Sequence, residues 1–357
     1  MPDQKAIKPL RIFSQKEVLR SSGQMITDLK EGRIKYLKTP WDCVNDALNG
    51  GYMPQRVNGI AGPSGHGKTY FMQSLQKYIL DSNENSRWLE FQFDMPRYMS
   101  GLRMLQKESG IPLPVMLSAN EPIYDATVNK LRGISKALSN LPIDIVDEPG
   151  TLDQMDATIL EYREMYPDEQ IMVSIDHALL VLASAGDNEI ETMVRLSRYM
   201  RRWVKDYKVT LFPLFQGNSE IENDYRTSPN NPAGHIPKKR DVFGSKQAFH
   251  VSDTMIFLHQ PVLLGITEYG PEQIPTRYQG DNVLAVTVMK NRLGPQNAQT
   301  FLQTDLANGK YINLGTEALK KGKPEESPGL FDNVPGNGVR TNWDLDDDDI
   351  ISGLDGI

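Results

Sequence analysis

The sequence predicts an α/β fold with a mostly parallel central sheet flanked by helices. Two observations predict it. From about Thr39 to Asn313 short apolar runs alternate with helical patterns, the rhythm of strands joined by crossover helices. The clearest runs are RVNGIAG (56–62), WLEFQFD (88–94), QIMVSID (170–176), VTLFPLFQ (209–216), TMIFLH (254–259) and VLAVTVMK (283–290). The second observation is that a glycine-rich run, GPSGHGKTYF (62–71), leaves the first of these strands directly and enters a helical pattern.

Ahead of that core, residues 15–35 place Val18, Leu19, Met25, Ile26 and Leu29 on one helical face. Such a helix either packs on its own domain or docks on a neighbour. In the glycine-rich run, the spacing Gly62-x-x-x-x-Gly67-Lys68-Thr69 is that of a phosphate-binding loop. Glycines, Gly65 among them, let backbone N–H groups turn onto phosphate oxygens. Lys68 adds a point charge, and the Thr69 hydroxyl suits Mg²⁺. The helix carrying Phe71, Met72, Leu75, Tyr78 and Ile79 would add its positive N-terminal end. Strand, loop and helix come in the order that nucleotide binding requires.

Hydrolysis needs more: a carboxylate on the metal side, a base or water-positioner, and positive charge on the γ-phosphate. Asp176 closes the strand IMVSID and suits the metal side; Asp94 closes WLEFQFD and suits the attacking water. Either alone reads equally as a strand-end or helix-cap residue. Gln216 ends TLFPLFQ, where it is either a γ-phosphate sensor or an ordinary strand-end glutamine. In KNRLGP (290–295), strand alternation points Lys290 and Arg292 the same way. They are either a solvated pair or bases reaching a neighbour's nucleotide.

These segments resemble the motor domain of DnaB-like replicative helicases, a RecA-like P-loop fold. TPWDCVNDALNGGYMPQRVNGIAGPSGHGKT, FQFDMPRYMSGLRML, LPIDIVDEPG, IMVSIDHALLV, LFPLFQGNSEIE and KNRLGP match the family's motifs in order over roughly residues 39–313. The resemblance implies a ring, a hexamer, with ATP and Mg²⁺ between subunits. It implies that Lys68 and Thr69 bind phosphate and metal, that Asp176 supports the metal, and that Asp94 stands where the family has a catalytic glutamate. Gln216 would be the sensor, Lys290 and Arg292 the bases acting in trans, and residues 15–35 the linker helix on a neighbour. It also implies 5′→3′ translocation on single-stranded DNA and unwinding at a fork, with a separate primase, loader or single-stranded DNA-binding protein as partners.

The sequence departs from the family in four places. Asp94 is one methylene shorter than the glutamate, and water positioning is geometry-sensitive. No counterpart of the family's helical N-terminal domain or of a primase zinc module is recognisable, so assembly would rest on the motor domain and its helix. In the polar segment 217–243, Lys238, Lys239 and Arg240, with Lys246 beyond it, are candidates for DNA phosphates, the other reading being a solvated loop. The family's basic residue before Gly244 falls nearest Asp241. Residues 260–282 look like a hairpin or insertion without chemistry, and His177, His235 and His250 lack metal-ligand spacing.

Composition bounds the rest. With 357 residues, 39% hydrophobic and 24% charged, the chain holds one large domain with extensions or two modest ones. A lone cysteine, Cys43, excludes an internal disulfide. No stretch approaches a membrane span and the first residues lack a signal-peptide core, so a cytoplasmic protein is expected, in the host cytoplasm if phage-encoded. The net charge is −7, but the segment after Arg340 holds six aspartates and no base, so charge gives no argument for nucleic-acid binding. From Gly315 the chain reads as a disordered linker and acidic tail. The tail is either a solubilising segment, a docking peptide built on Trp343, Leu345, Ile350, Ile351 and Leu354, or a DNA mimic. Two rival functions share the fold: a RecA- or RadA-like recombinase, and an ATP-binding loader or assembly factor with weak hydrolysis.

Overall fold

In the computed structural model, the described residues are 10–120, 122–182, 188–305 and 309–314. The linker and acidic tail therefore lie outside them. Helices α1 (Gln15–Lys30) and α2 (Asp42–Ala47) precede β1 (Asn58–Gly62) and α3 (Lys68–Ser82). Then come β2 (Ser86–Gln92), α4 (Arg97–Ser109), α5 (Leu113–Met116), α6 (Asp125–Leu138), β3 (Ile143–Val146), α7 (Leu152–Met165) and β4 (Gln170–Asp176). Helix α8 (Glu189–Asp206), β5 (Thr210–Gln216), α9 (Asp224–Thr227), α10 (Ser245–Val251) and β6 (Thr254–His259) follow. The short strands β7 (Glu268–Tyr269), β8 (Ile274–Pro275) and β9 (Arg277–Tyr278) occupy the insertion, and β10 (Asp281–Asn291), β11 (Ala298–Asp305) and β12 (Lys310–Asn313) close the fold.

The main sheet runs β12-β11-β10-β6-β1-β5-β4-β2-β3, with β9 beside β10. From β6 to β3 every pairing is parallel, and β10 to β12 are antiparallel. The expected architecture is therefore present, with an antiparallel extension on one edge.

Strand alternation sorts the core onto the two faces of the sheet. On one, Ile171, Val173, Ile175, Leu211 and Phe215 pack with Met155 and Ile159 of α7 and Leu196, Met200 and Trp203 of α8. On the other, Trp88, Met172, Phe212 and Leu214 pack with Phe71, Leu75 and Ile79 of α3. Trp88 is fully buried, stacks on Phe212 at 5.2 Å and donates its Nε1–H to Ser174 Oγ at 2.9 Å. Truncating it to alanine would cost about 3–5 kcal/mol through the cavity left behind.

Two expected boundaries move. Strand β2 stops at Gln92, so Asp94 lies in the bend beyond it rather than at its tip. Helix α1 starts on a capping box between Ser14 and Glu17 and stops at Lys30 rather than 35. Of the apolar residues expected on α3, Tyr78 sits at the rim, 38% exposed.

Candidate nucleotide site and a distant pair of bases

The parity that sorts the core also aims the polar strand ends. Asp176 and Gln216 share the sheet face of Met172, Phe212 and Leu214, the face covered by α3. The phosphate-loop candidate leaves β1 at Gly62, and α3 begins at Lys68 on the same side. Two glycines there have steric reasons. A Cβ on Gly62 would stand 2.5 Å from the Leu258 carbonyl oxygen, and Gly67 has φ +87 and lies against the Tyr311 hydroxyl.

Lys68 Nζ donates to the carbonyls of Gly62 (2.7 Å) and Pro63 (2.8 Å) and reaches Gln216 Oε1 at 3.4 Å. Burial pulls its pKa down to about 8, opposed by the negative charges of Asp176 and Asp94. Thr69 Oγ1 donates to Asp176 Oδ2 at 2.9 Å, while burial raises the Asp176 carboxyl against the pull of Thr69 and Lys68. A hydroxyl and a carboxylate, both hard oxygen donors, fit Mg²⁺, and the lysine beside them fits a phosphate. Asp94 is exposed in the same field. Gln216 is half-buried, and the next residue, Gly217, donates its N–H to the Gly62 carbonyl at 2.7 Å. The structure thus gathers Gly62, Gly67, Lys68, Thr69, Asp176 and Gln216 at one end of the parallel strands, with Asp94 contributing its charge there.

Lys290 and Arg292 lie elsewhere. Strand β10 runs antiparallel to β6 and places Lys290 opposite Met255 and Asn291 opposite Thr254, at the start of β6. The phosphate loop leaves β1 beyond Ala61, which is level with Phe257. The two sites are separated by roughly 13 Å along the strands, four residues at ~3.3 Å each. Although a bulge interrupts the register between Val288 and Lys290, both side chains turn toward the end of α10. Lys290 donates to the Phe249 carbonyl; Arg292 donates to that of His250 and pairs with Asp253 at 3.2 Å.

The segment 217–243 is more ordered than a polar sequence suggested. Asp241, the residue nearest the family's basic position, is fully buried in a two-pronged ion pair with Arg226 (2.8 and 2.9 Å). Arg226 also donates to the carbonyls of Gly234 and Ile236, holding the segment's fold. Lys238, Lys239, Arg240 and Lys246 all remain exposed. Lys239 stands 5.5 Å over the Phe249 ring and Arg240 pairs loosely with Glu220.

Several functional candidates were not singled out from the sequence. Glu90 of β2 is buried, and burial lifts its carboxyl to about 7 despite a hydrogen bond from Gln76. His66, inside the loop, accepts the Gln260 N–H at 2.9 Å, and the Tyr311 hydroxyl donates to the Gly67 carbonyl at 2.8 Å. The only local signal was strand parity for Glu90; the others are contacts over 194 and 244 residues of chain.

Comparison with known proteins agrees with this fold. Residues 38–306 match the model of the DnaB-like helicase C-terminal domain. Among solved structures, the ATPase domain of G40P superposes with a TM-score of 0.71 at 19% identity, over 85% of this chain and all of that one. A DnaB-like replicative helicase, whose structure was described with its interactions with primase, gives 0.67 at 19% identity, over 85% of this chain and 68% of that one. No curated protein matches the chain in sequence.

Proposed function

This chain belongs to the DnaB-like helicase family by its C-terminal domain, and from that premise we propose that it is an ATP-driven, ring-forming motor that moves 5′→3′ on single-stranded DNA and unwinds duplex. The observation that carries the reading is the separation of the phosphate-loop site from Lys290 and Arg292 at the other end of the strands. Bases placed there are out of reach of their own subunit's nucleotide. They fit a second copy's nucleotide, which calls for an assembly, a hexamer by family precedent.

In this reading ATP supplies the phosphoryl group and Mg²⁺ neutralises charge on its oxygens. The loop N–H groups and Lys68 hold the phosphates, and Thr69 and Asp176 hold the metal. Asp94 orients the attacking water, and Gln216 reports the γ-phosphate to the segment that follows it. That report has a short path, because Gly217 is bonded to Gly62 and begins the segment whose bases Lys238, Lys239 and Arg240, with Lys246, would meet DNA phosphates. Helix α1 buries none of its residues; Val18, Leu19 and Ile26 are 46%, 57% and 65% exposed, which supports docking on a neighbour. No helix among the described residues is long and apolar enough to cross a membrane. A primase is a candidate partner, by precedent of the helicase whose structure was described with its interactions with primase.

The test is unwinding of forked DNA carrying a single 5′ or 3′ tail, with ATPase recorded in the same samples and Lys68→Ala as control. Unwinding that needs the 5′ tail and vanishes in Lys68→Ala is expected. ATPase with strand exchange but no unwinding would point to a recombinase, and a ring with negligible turnover to a loader or assembly factor.

A further inference from the structure

Three cations converge on the end of α10. Besides Lys290 and Arg292, Arg201 of α8 places Nη1 3.0 and 3.2 Å from the two carboxylate oxygens of Asp253. Arg201 and Arg292 both reach the His250 carbonyl, at 3.5 and 3.4 Å, and Lys290 reaches that of Phe249. Asp253 is itself fixed: its side chain is 8% exposed, Oδ2 accepts the Val57 N–H at 3.0 Å, and its own N–H donates to the Val57 carbonyl. Thus one buried carboxylate, tied to the backbone just before β1, serves two guanidinium groups that are 38% and 50% exposed. The charge does not balance. The cluster keeps a positive excess facing outward, which suits an anion brought by another molecule.

We propose that Asp253 is the positioning residue for the bases acting in trans, and that Arg201 is a third member of that set, contacting the neighbour's nucleotide phosphates together with Lys290 and Arg292. The inference rests on the trans reading of Lys290 and Arg292 given above. Asp253 and the last carbonyls of α10 preset the direction of the three side chains, so little rotamer freedom is lost when the phosphate arrives.

Mixed assemblies of full-length chains test it. Arg292→Ala and Arg201→Ala are each mixed in equal amounts with Lys68→Ala, whose bases are intact and whose own site is dead. Each variant alone should lose at least about tenfold in ATP turnover. Each mixture should recover about a quarter of wild-type turnover, the share of interfaces pairing a live site with an intact neighbour. Recovery with Arg292→Ala but not with Arg201→Ala overturns the role of Arg201 alone, as does full activity of Arg201→Ala by itself. No recovery with Arg292→Ala overturns the trans reading underneath. Asp253→Asn, which keeps an acceptor for Val57, should lower kcat about fivefold at unchanged KM and melting temperature; an unchanged kcat, or a melting temperature that falls with it, overturns the positioning role.

Discussion

Lys68 and Lys290 stand at opposite ends of the same sheet, and burial pulls each down to about 8. Their surroundings differ in sign. Around Lys68 the remaining charges are Asp176 and Asp94, which favour the ammonium. Around Lys290, Arg292, Arg201 and Lys239 oppose it and Asp253 alone supports it. The first site sets two carboxylates of its own subunit against one lysine, which rests on its own loop's carbonyls. The second carries an excess of positive charge at an exposed rim. In the proposed reading this difference suits different tasks: one end would hold a ligand, and the other would meet a ligand held elsewhere.

The harshest way to break this contrast is to remove Lys68 and Arg292 in turn. Lys68→Ala should abolish measurable ATPase and weaken ATP binding, read by turnover and by titration of a fluorescent nucleotide. Arg292→Ala should lower kcat about 10³-fold while leaving nucleotide binding intact, the signature of a base acting only in the transition state. If both variants lose binding equally, the division of labour fails. Asp94→Ala should cost about 10²-fold in kcat. Asp94→Glu, which adds one methylene, should match or exceed the wild type; a loss as large as that of alanine would show that the bend after Gln92 is built for the shorter side chain.

A pH series sharpens the comparison further. Lys68 and Lys290 have folded pKa values below the 10.5 of a free lysine, so between about 8 and 10.5 the unfolded chain binds more protons and the nucleotide-free fold gains stability as pH rises. Nucleotide affinity should move the other way, falling above about pH 8 as Lys68 loses its proton, and Lys68→Ala should flatten that fall. The smallest effect is expected at Glu90. Its carboxyl is raised from 4.5 to about 7, so its contribution is complete below about 4.5 and lost as pH climbs through 7. Glu90→Gln should raise the melting temperature above pH 7 and leave it unchanged near pH 4; equal shifts at both would remove the titration argument.

What was legible in the sequence was what repeats locally. The alternation of apolar runs with helical patterns gave the sheet, the polar ends of those runs gave Asp176 and Gln216, and fixed spacing gave the loop from Gly62 to Thr69. What stayed hidden depends on distant pairings. Arg201 meets Asp253 across 52 residues, and Arg226 meets Asp241 across 15 within a segment whose polarity read as solvated. Asp94 closes the apolar run WLEFQFD and so reads as a strand tip, but pairing between β2 and β4 ends at Gln92 and Asp176, so the chain turns first. The amphipathic face of α1 was legible too, and the fold leaves it open.

The placement of Lys290 and Arg292 at the far end of the strands from Gly62 has a counting consequence. If activation comes only from a neighbour and the subunits associate head to tail, each seam completes one site. A row of such subunits with free ends always has one fewer completed site than it has members. Closing the row into a circle supplies the last one. Any event that parts a single seam, to admit a strand for example, would silence the one site at that seam and leave the others firing.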